Sequence, residues 1–251
     1  MLRTIFLLFL ISLAAAVSPA QTQDKEYKIS ARDKAEVQRL AKRFVARMQQ
    51  TRDVGPLMPT FFLKDFDVLF EGQPICVDHF EGPKLTKSQW RREFIAVSNE
   101  IYLTELSYLL SDHYKLSGIL SDKLAKVLED SSLGSEWEGK VTKSDVLTKL
   151  SAWEKGFRAA KAELRRKNIE GSLPYKKAWE KRNDGPYDYV VQKDILWKPG
   201  EPDPDVMPGL KKRSPNGEIG YFVTTPAGPL LIFVKERGRF KIILVGMFPV
   251  D

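Results

Sequence analysis

The chain is short of the residues that metal proteins and thiol enzymes depend on. It holds one cysteine, Cys76, and two histidines, His79 and His113, in 251 residues. A single cysteine excludes an intramolecular disulfide. A tetrahedral zinc site needs about four ligands, and Cys76-x-x-His79 offers two with no ligand-spaced pair to complete them. No Ser nucleophile elbow, Walker loop, Rossmann fingerprint or HExxH helix is present. No cofactor or metal is therefore expected. Beyond the N-terminus no run approaches the roughly 18 apolar residues of a membrane-spanning helix, which predicts a soluble mature chain. None of the four asparagines opens an Asn-x-Ser/Thr sequon.

The N-terminus has the composition of a secretory signal peptide. Met1-Leu-Arg3 supplies positive charge, residues 5–17 are apolar, and Ser18-Pro19-Ala20 places small residues before a cleavage point at Gln21. Residues 1–20 are thus expected to be removed, leaving residues 21–251 in a periplasmic or secreted location. Missing disulfides and sequons fit a bacterial periplasm. Export disfavours nucleic acid as a partner.

The strongest structural signal is the C-terminal end. Three apolar runs, 219–225, 230–236 and 240–248, are separated by Pro226-Ala-Gly-Pro229 and by a short loop at Arg237-Gly238-Arg239. Their lengths and glycine-bearing turns predict an antiparallel meander. Apolar residues on both faces near the middle predict a sheet that is covered on both sides or curled around a core.

Upstream, Ser30 reads as the N-cap of a helix with Asp33 in its first turn. Val37, Leu40, Ala41, Phe44, Val45 and Met48 make one apolar stripe, which must dock, most simply on the meander. A Phe-rich segment follows, with Phe61, Phe62, Phe66 and Phe70. Thr86-x-x-Gln89 is a capping box for a long helix with Trp90, Phe94, Val97, Ile101 and Tyr108 on its buried side. Further helices are expected over 121–129, from about Ser144 with Val146, Leu150, Trp153, Phe157, Ala160 and Leu164 inward, and from Pro174 through Trp179. Residues 187–197 read as a strand or two. Residues 199–217, with five prolines and three glycines, form a Pro-rich loop. The predicted fold class is α+β: a C-terminal antiparallel sheet packed by an N-terminal amphipathic helix, with a large central helical insertion at about 86–183 within one domain, 21–251.

The precursor's net charge is +7, and Lys140 to Arg182 carries 13 Lys/Arg against five Asp/Glu. With Trp153, Phe157, Tyr175 and Trp179 nearby, this segment could meet an anionic envelope surface. On a helical wheel Lys155, Arg158, Lys161, Arg165 and Lys167 flank the apolar stripe, as a solvated face with snorkelling stems would. His113, beside Asp112 at the end of the long helix, fits a dipole interaction. Glu201-Pro-Asp-Pro-Asp205 lacks the glycine and downstream glutamate of a calcium loop.

The N-terminal helix, the Phe-rich segment after an aspartate (Asp53, Phe61, Phe62, Asp65, Phe66) and the meander with its Gly238-Arg-Phe-Lys-Ile242 turn and strand together resemble the NTF2-like, or SnoaL-like, superfamily. The resemblance spans about 30–70 and 218–251. It implies a curved sheet wrapped around helices, often with a conical pocket, in a group that contains isomerases, dehydratases and non-catalytic binding domains. It carries no site residues onto this chain, and the roughly 100 helical residues after Thr86 depart from it. Two main readings follow. One is a non-catalytic envelope module that binds an apolar or anionic ligand or a protein partner. The alternative is an isomerase- or dehydratase-type enzyme using scattered acid/base residues, with His79, His113 and Cys76 as first candidates. A third reading gives the basic helical segment a purely structural or interaction role.

Overall fold

The computed structural model describes residues 27–69, 83–110, 115–133, 141–169, 171–183, 189–200, 209–225 and 229–247. Residues 1–20, read above as a signal peptide, together with Phe70, Cys76, His79, His113 and residues 201–208 of the Pro-rich loop, lie outside them.

Helix α1 (Ala31–Thr51) starts where its cap predicts: the Asp33 N–H donates to Ser30 Oγ at 3.0 Å. It ends at Arg52, whose left-handed backbone (φ 50°) lets its N–H reach the Met48 carbonyl. The stripe Val37, Ala41, Phe44, Val45 and Met48 is buried. Each large side chain in it contributes roughly 1.5–3 kcal/mol.

The sheet is a four-stranded antiparallel meander in the order β1 (Val190–Trp197), β2 (Glu218–Thr224), β3 (Pro229–Glu236), β4 (Arg239–Met247). Residues 190–197 form one strand. Pro229 opens β3 instead of closing the preceding turn, a position where the missing N–H is tolerated. Glu236 pairs with Arg239, so the last hairpin loop is only Arg237-Gly238. Both have positive φ, 48° and 79°, the backbone a two-residue type I′ turn requires. The loop expected over three residues is one shorter because Arg239 joins the strand.

Both faces of the sheet are covered at β3, where Leu231, Ile232, Phe233 and Val234 are all buried, whereas the edge strand β1 leaves Val190, Gln192 and Asp194 exposed on one face. Lys235 reaches α1 on one side, 2.8 Å from Asp33 Oδ1. Its neighbour Glu236 points the other way and meets Arg213 at 3.4 Å. Arg213 ends a one-turn helix, Leu210–Arg213, inside the predicted Pro-rich loop. The described part of that loop is therefore ordered against the fold: Leu210 is buried and the Gly209 N–H donates to the Leu69 carbonyl at 2.8 Å. One buried leucine and a paired arginine supply what a proline count does not reveal.

The central region is helical. α2 (Met58–Phe61) and α3 (Phe66–Leu69) are single turns in the Phe-rich segment. α4 (Lys87–Leu110), α5 (Asp122–Asp130), α6 (Lys143–Arg166) and α7 (Leu173–Asn183) follow. The Thr86/Gln89 capping box is formed. α6 has a box of its own, Thr142 with Asp145, two residues before the start read from Ser144.

Two apolar clusters result. The first joins the sheet, α1, the Phe-rich segment, Trp90 and Phe94. The second joins Leu103, Leu106, Leu128, Leu150, Trp153, Phe157 and Leu164. α4 serves both, so it has no single buried side. Trp90 and Phe94 are buried as expected, but Val97, Ile101 and Tyr108 are only half-buried. Ala96, Asn99, Leu103 and Leu106 are buried in their place. A helix walled on two sides loses the one-stripe pattern that a surface helix shows.

Candidate functional site

The Phe-rich segment is fixed against the sheet edge by backbone and ring contacts. The Leu63 N–H donates to the Ile242 carbonyl at 3.0 Å, making a short parallel bridge beside β4. Phe62 then packs edge-on against Phe44, Phe66 and Phe94, with centroids 5.4–5.9 Å apart. Lys241 Nζ donates to the Thr60 carbonyl at 2.7 Å from the same strand.

These contacts leave a cleft of about 740 Å³ between the segment 58–67, Arg91 of α4 and the β3–β4 hairpin. Its floor is apolar: Met58, Phe62, Leu63 and Phe66 are all buried. Its walls are charged, with Lys64, Arg91, Arg237, Arg239 and Lys241 against Asp65, Asp67 and Glu236. Several of these charges are already engaged. Arg91 faces Asp67 at 3.7 Å, Glu236 faces Arg213, and Lys241 holds Thr60. Lys64, Arg237 and Arg239 are exposed and, among the described residues, have no ion-pair partner; of the wall carboxylates only Asp65 is equally free. The uncommitted groups thus carry a net positive charge, with two guanidinium forks at the hairpin suited to carboxylate or phosphate oxygens. The described lining includes no imidazole, thiol or hydroxyl side chain.

The space between α1 and the meander, where a conical pocket would lie, is filled by Val37, Ala41, Phe44, Val223 and Ile242. A groove of about 50 Å³ remains near Met48, Tyr102 and Val245. Near α1's start, Asp33 accepts from Lys235 and, at 3.4 Å, from the Tyr221 hydroxyl. The Lys235 hydrogen bond holds the Asp33 carboxyl below its usual range, against the smaller opposing effect of burial. Burial, then the Asp33 charge, pushes the Tyr221 phenol up. These three groups saturate one another and tie α1 to the sheet. Burial alone pushes Tyr189 up to about 12.

Of the residues singled out from sequence, Cys76, His79 and His113 lie outside the described residues. Within the basic segment, Lys155, Arg158, Arg165 and Lys167 are exposed, as a solvated face requires. Lys161 is not part of that face. It is half-buried, 3.1 Å from Asp53 Oδ2 and 5.8 Å from the Phe157 ring centroid. Spacing in the sequence does not reveal the cleft cations, because Lys64 and Arg237 are far apart along the chain and line one cleft only in the folded protein.

Among the described residues no group of three or more His, Cys, Asp or Glu could hold a metal ion. Likewise, none of the described helices is long and apolar enough to cross a membrane. No family model, no curated protein and no solved structure matches this chain.

Proposed function

We propose that the protein is a non-catalytic binding module of the bacterial envelope, exported behind residues 1–20, whose ligand is an acidic segment of a partner protein seated in the cleft at the β3–β4 hairpin. One observation carries the reading: Lys64, Arg237 and Arg239, with no ion-pair partner among the described residues, stand above a buried apolar floor. Cations that serve the fold alone pair with carboxylates, as Arg91 and Arg213 do here. An apolar floor beneath free guanidinium groups suits a peptide that alternates acidic and apolar side chains. The composition of residues 1–20 supports export, and a helix laid across a meander is compatible with an NTF2-like ancestry for the sheet half.

The test is fluorescence anisotropy of a labelled Glu-Leu-Glu-Leu-Glu-Leu peptide with the mature chain at low salt. Tight binding that weakens at least tenfold in the Lys64→Ser, Arg237→Ser, Arg239→Ser variant is expected. All three side chains are exposed, so the fold should persist. Binding unchanged in that variant, or equal for a Lys-Leu peptide, would refute the assignment.

A further inference from the structure

A second charged surface lies on α6, away from the cleft. Helix geometry separates its residues into two faces. Leu150, Trp153, Phe157, Ala160 and Leu164 point into the helical cluster, and Val146 into the cluster that holds the sheet. On the opposite arc lie Lys155 and Arg166, with Arg158 and Arg165 on one flank of it, all exposed, and the exposed small residues Ala152, Ala159 and Ala162 share the arc. At a rise of about 1.5 Å per residue, the four cations occupy a strip roughly 16 Å long.

Nothing on the helix compensates that strip. α6 has three acidic residues, and each is committed elsewhere. Asp145 closes the capping box with Thr142. Glu154 grips Arg92 of α4 through two hydrogen bonds at 3.0 and 2.8 Å. Glu163 accepts from the Ser121 backbone and hydroxyl and pairs with Lys167 at 2.7 Å. These partnerships hold the Glu163 carboxyl below its usual range, chiefly through Lys167 against the opposing effect of burial. By contrast, the cation Lys161 that does serve the fold points away from the strip, to Asp53. Among the described residues, the four strip cations have no ion pair or ring contact.

A convex helix face offers no groove for a discrete ligand or an extended peptide. It suits a broad anionic surface whose charges can move to meet it. A second feature favours a lipid surface over a rigid polymer. Leu173, seven residues beyond Arg166, is 63% exposed, the most exposed large apolar side chain among the described residues. The exposed Lys176 and Lys177 follow it. Cations accompanied by an exposed leucine are the composition of a peripheral membrane contact. We infer that the outer face of α6 docks the protein on an anionic bilayer, with Lys155, Arg158, Arg165 and Arg166 as the headgroup contacts. This site is independent of the cleft.

The experiment is co-sedimentation of the mature chain with vesicles of phosphatidylcholine containing phosphatidylglycerol, and with pure phosphatidylcholine. Binding only to the anionic vesicles, falling steeply as salt rises, is expected. Each neutralised cation should weaken partition about fivefold. The Lys155→Gln, Arg158→Gln, Arg165→Gln, Arg166→Gln variant should therefore lose sedimentation at lipid concentrations that bind the parent fully. Replacing the three arginines by lysine should preserve it. The cleft variant with serine at 64, 237 and 239 should sediment like the parent, so failure of either proposal leaves the other readable. Equal sedimentation of the glutamine variant overturns the inference, as does equal binding to neutral vesicles. Retention on a soluble polyphosphate without partition to vesicles overturns the bilayer as the occupant.

Discussion

At the scale of single residues, a partly buried polar chain runs from Asn99 through Asp53 to Lys161. Asn99, on α4, accepts from the Val54 N–H at 2.8 Å and donates to Asp53 Oδ1 at 3.3 Å. Asp53 then takes the Gly55 N–H and Lys161 Nζ. Asn99 is buried, so Asn99→Leu would strand the Val54 N–H away from water. The substitution is expected to cost about 1–3 kcal/mol, read as a lower midpoint in urea with an unchanged slope. Residues of this kind divide sharply in legibility. Ser30 and the Thr86/Gln89 pair could be read directly, because a cap acts on a backbone three residues away. Asp53, Asn99 and Lys161 could not, since their contacts span 46 to 108 positions and no spacing rule reaches that far.

At the scale of elements, α1 and α6 kept the faces their periodicity predicted, and α4 did not. The first two each bury one stripe. α4 meets Phe62 and Phe66 through Trp90 and Phe94 in its first turns, then passes Leu103 and Leu106 to the helical cluster. Pattern reading assumes one wet side, and this helix has little. Leu103→Ala is therefore expected to cost about 2–5 kcal/mol even though Leu103 does not sit on the stripe read from sequence. Thermal or urea unfolding measures this; a loss below about 1 kcal/mol would mean that the second cluster can collapse into the space. The strands were legible because three apolar runs sit between turn residues. The extra, bridge-like contact from Leu63 to β4 was not, because a two-residue pairing leaves no period to detect.

At the scale of the whole molecule, the shared helix should couple the two clusters. β3 and residues 150–164 of α6 belong to different cores, only Val146 of α6 reaching the first, and both cores lose a wall if α4 leaves. Amide hydrogen exchange is expected to show residues 231–234 and 150–164 opening with the same free energy and the same denaturant dependence. Earlier release of α6 would show that the helical region unfolds by itself. The general architecture, α+β with a terminal meander and a long helical centre, was visible in composition and periodicity alone. The cleft was not, because it is bounded by the Phe-rich segment, α4 and the last hairpin, which only the folded chain brings together. The shared helix also bears on how such a molecule can be cut and recombined. A boundary drawn anywhere within 87–110 would leave each half with an open apolar wound, so the molecule has no seam there. Any graft of the helical region onto another sheet would have to carry α4 with it, together with a new floor for Trp90 and Phe94.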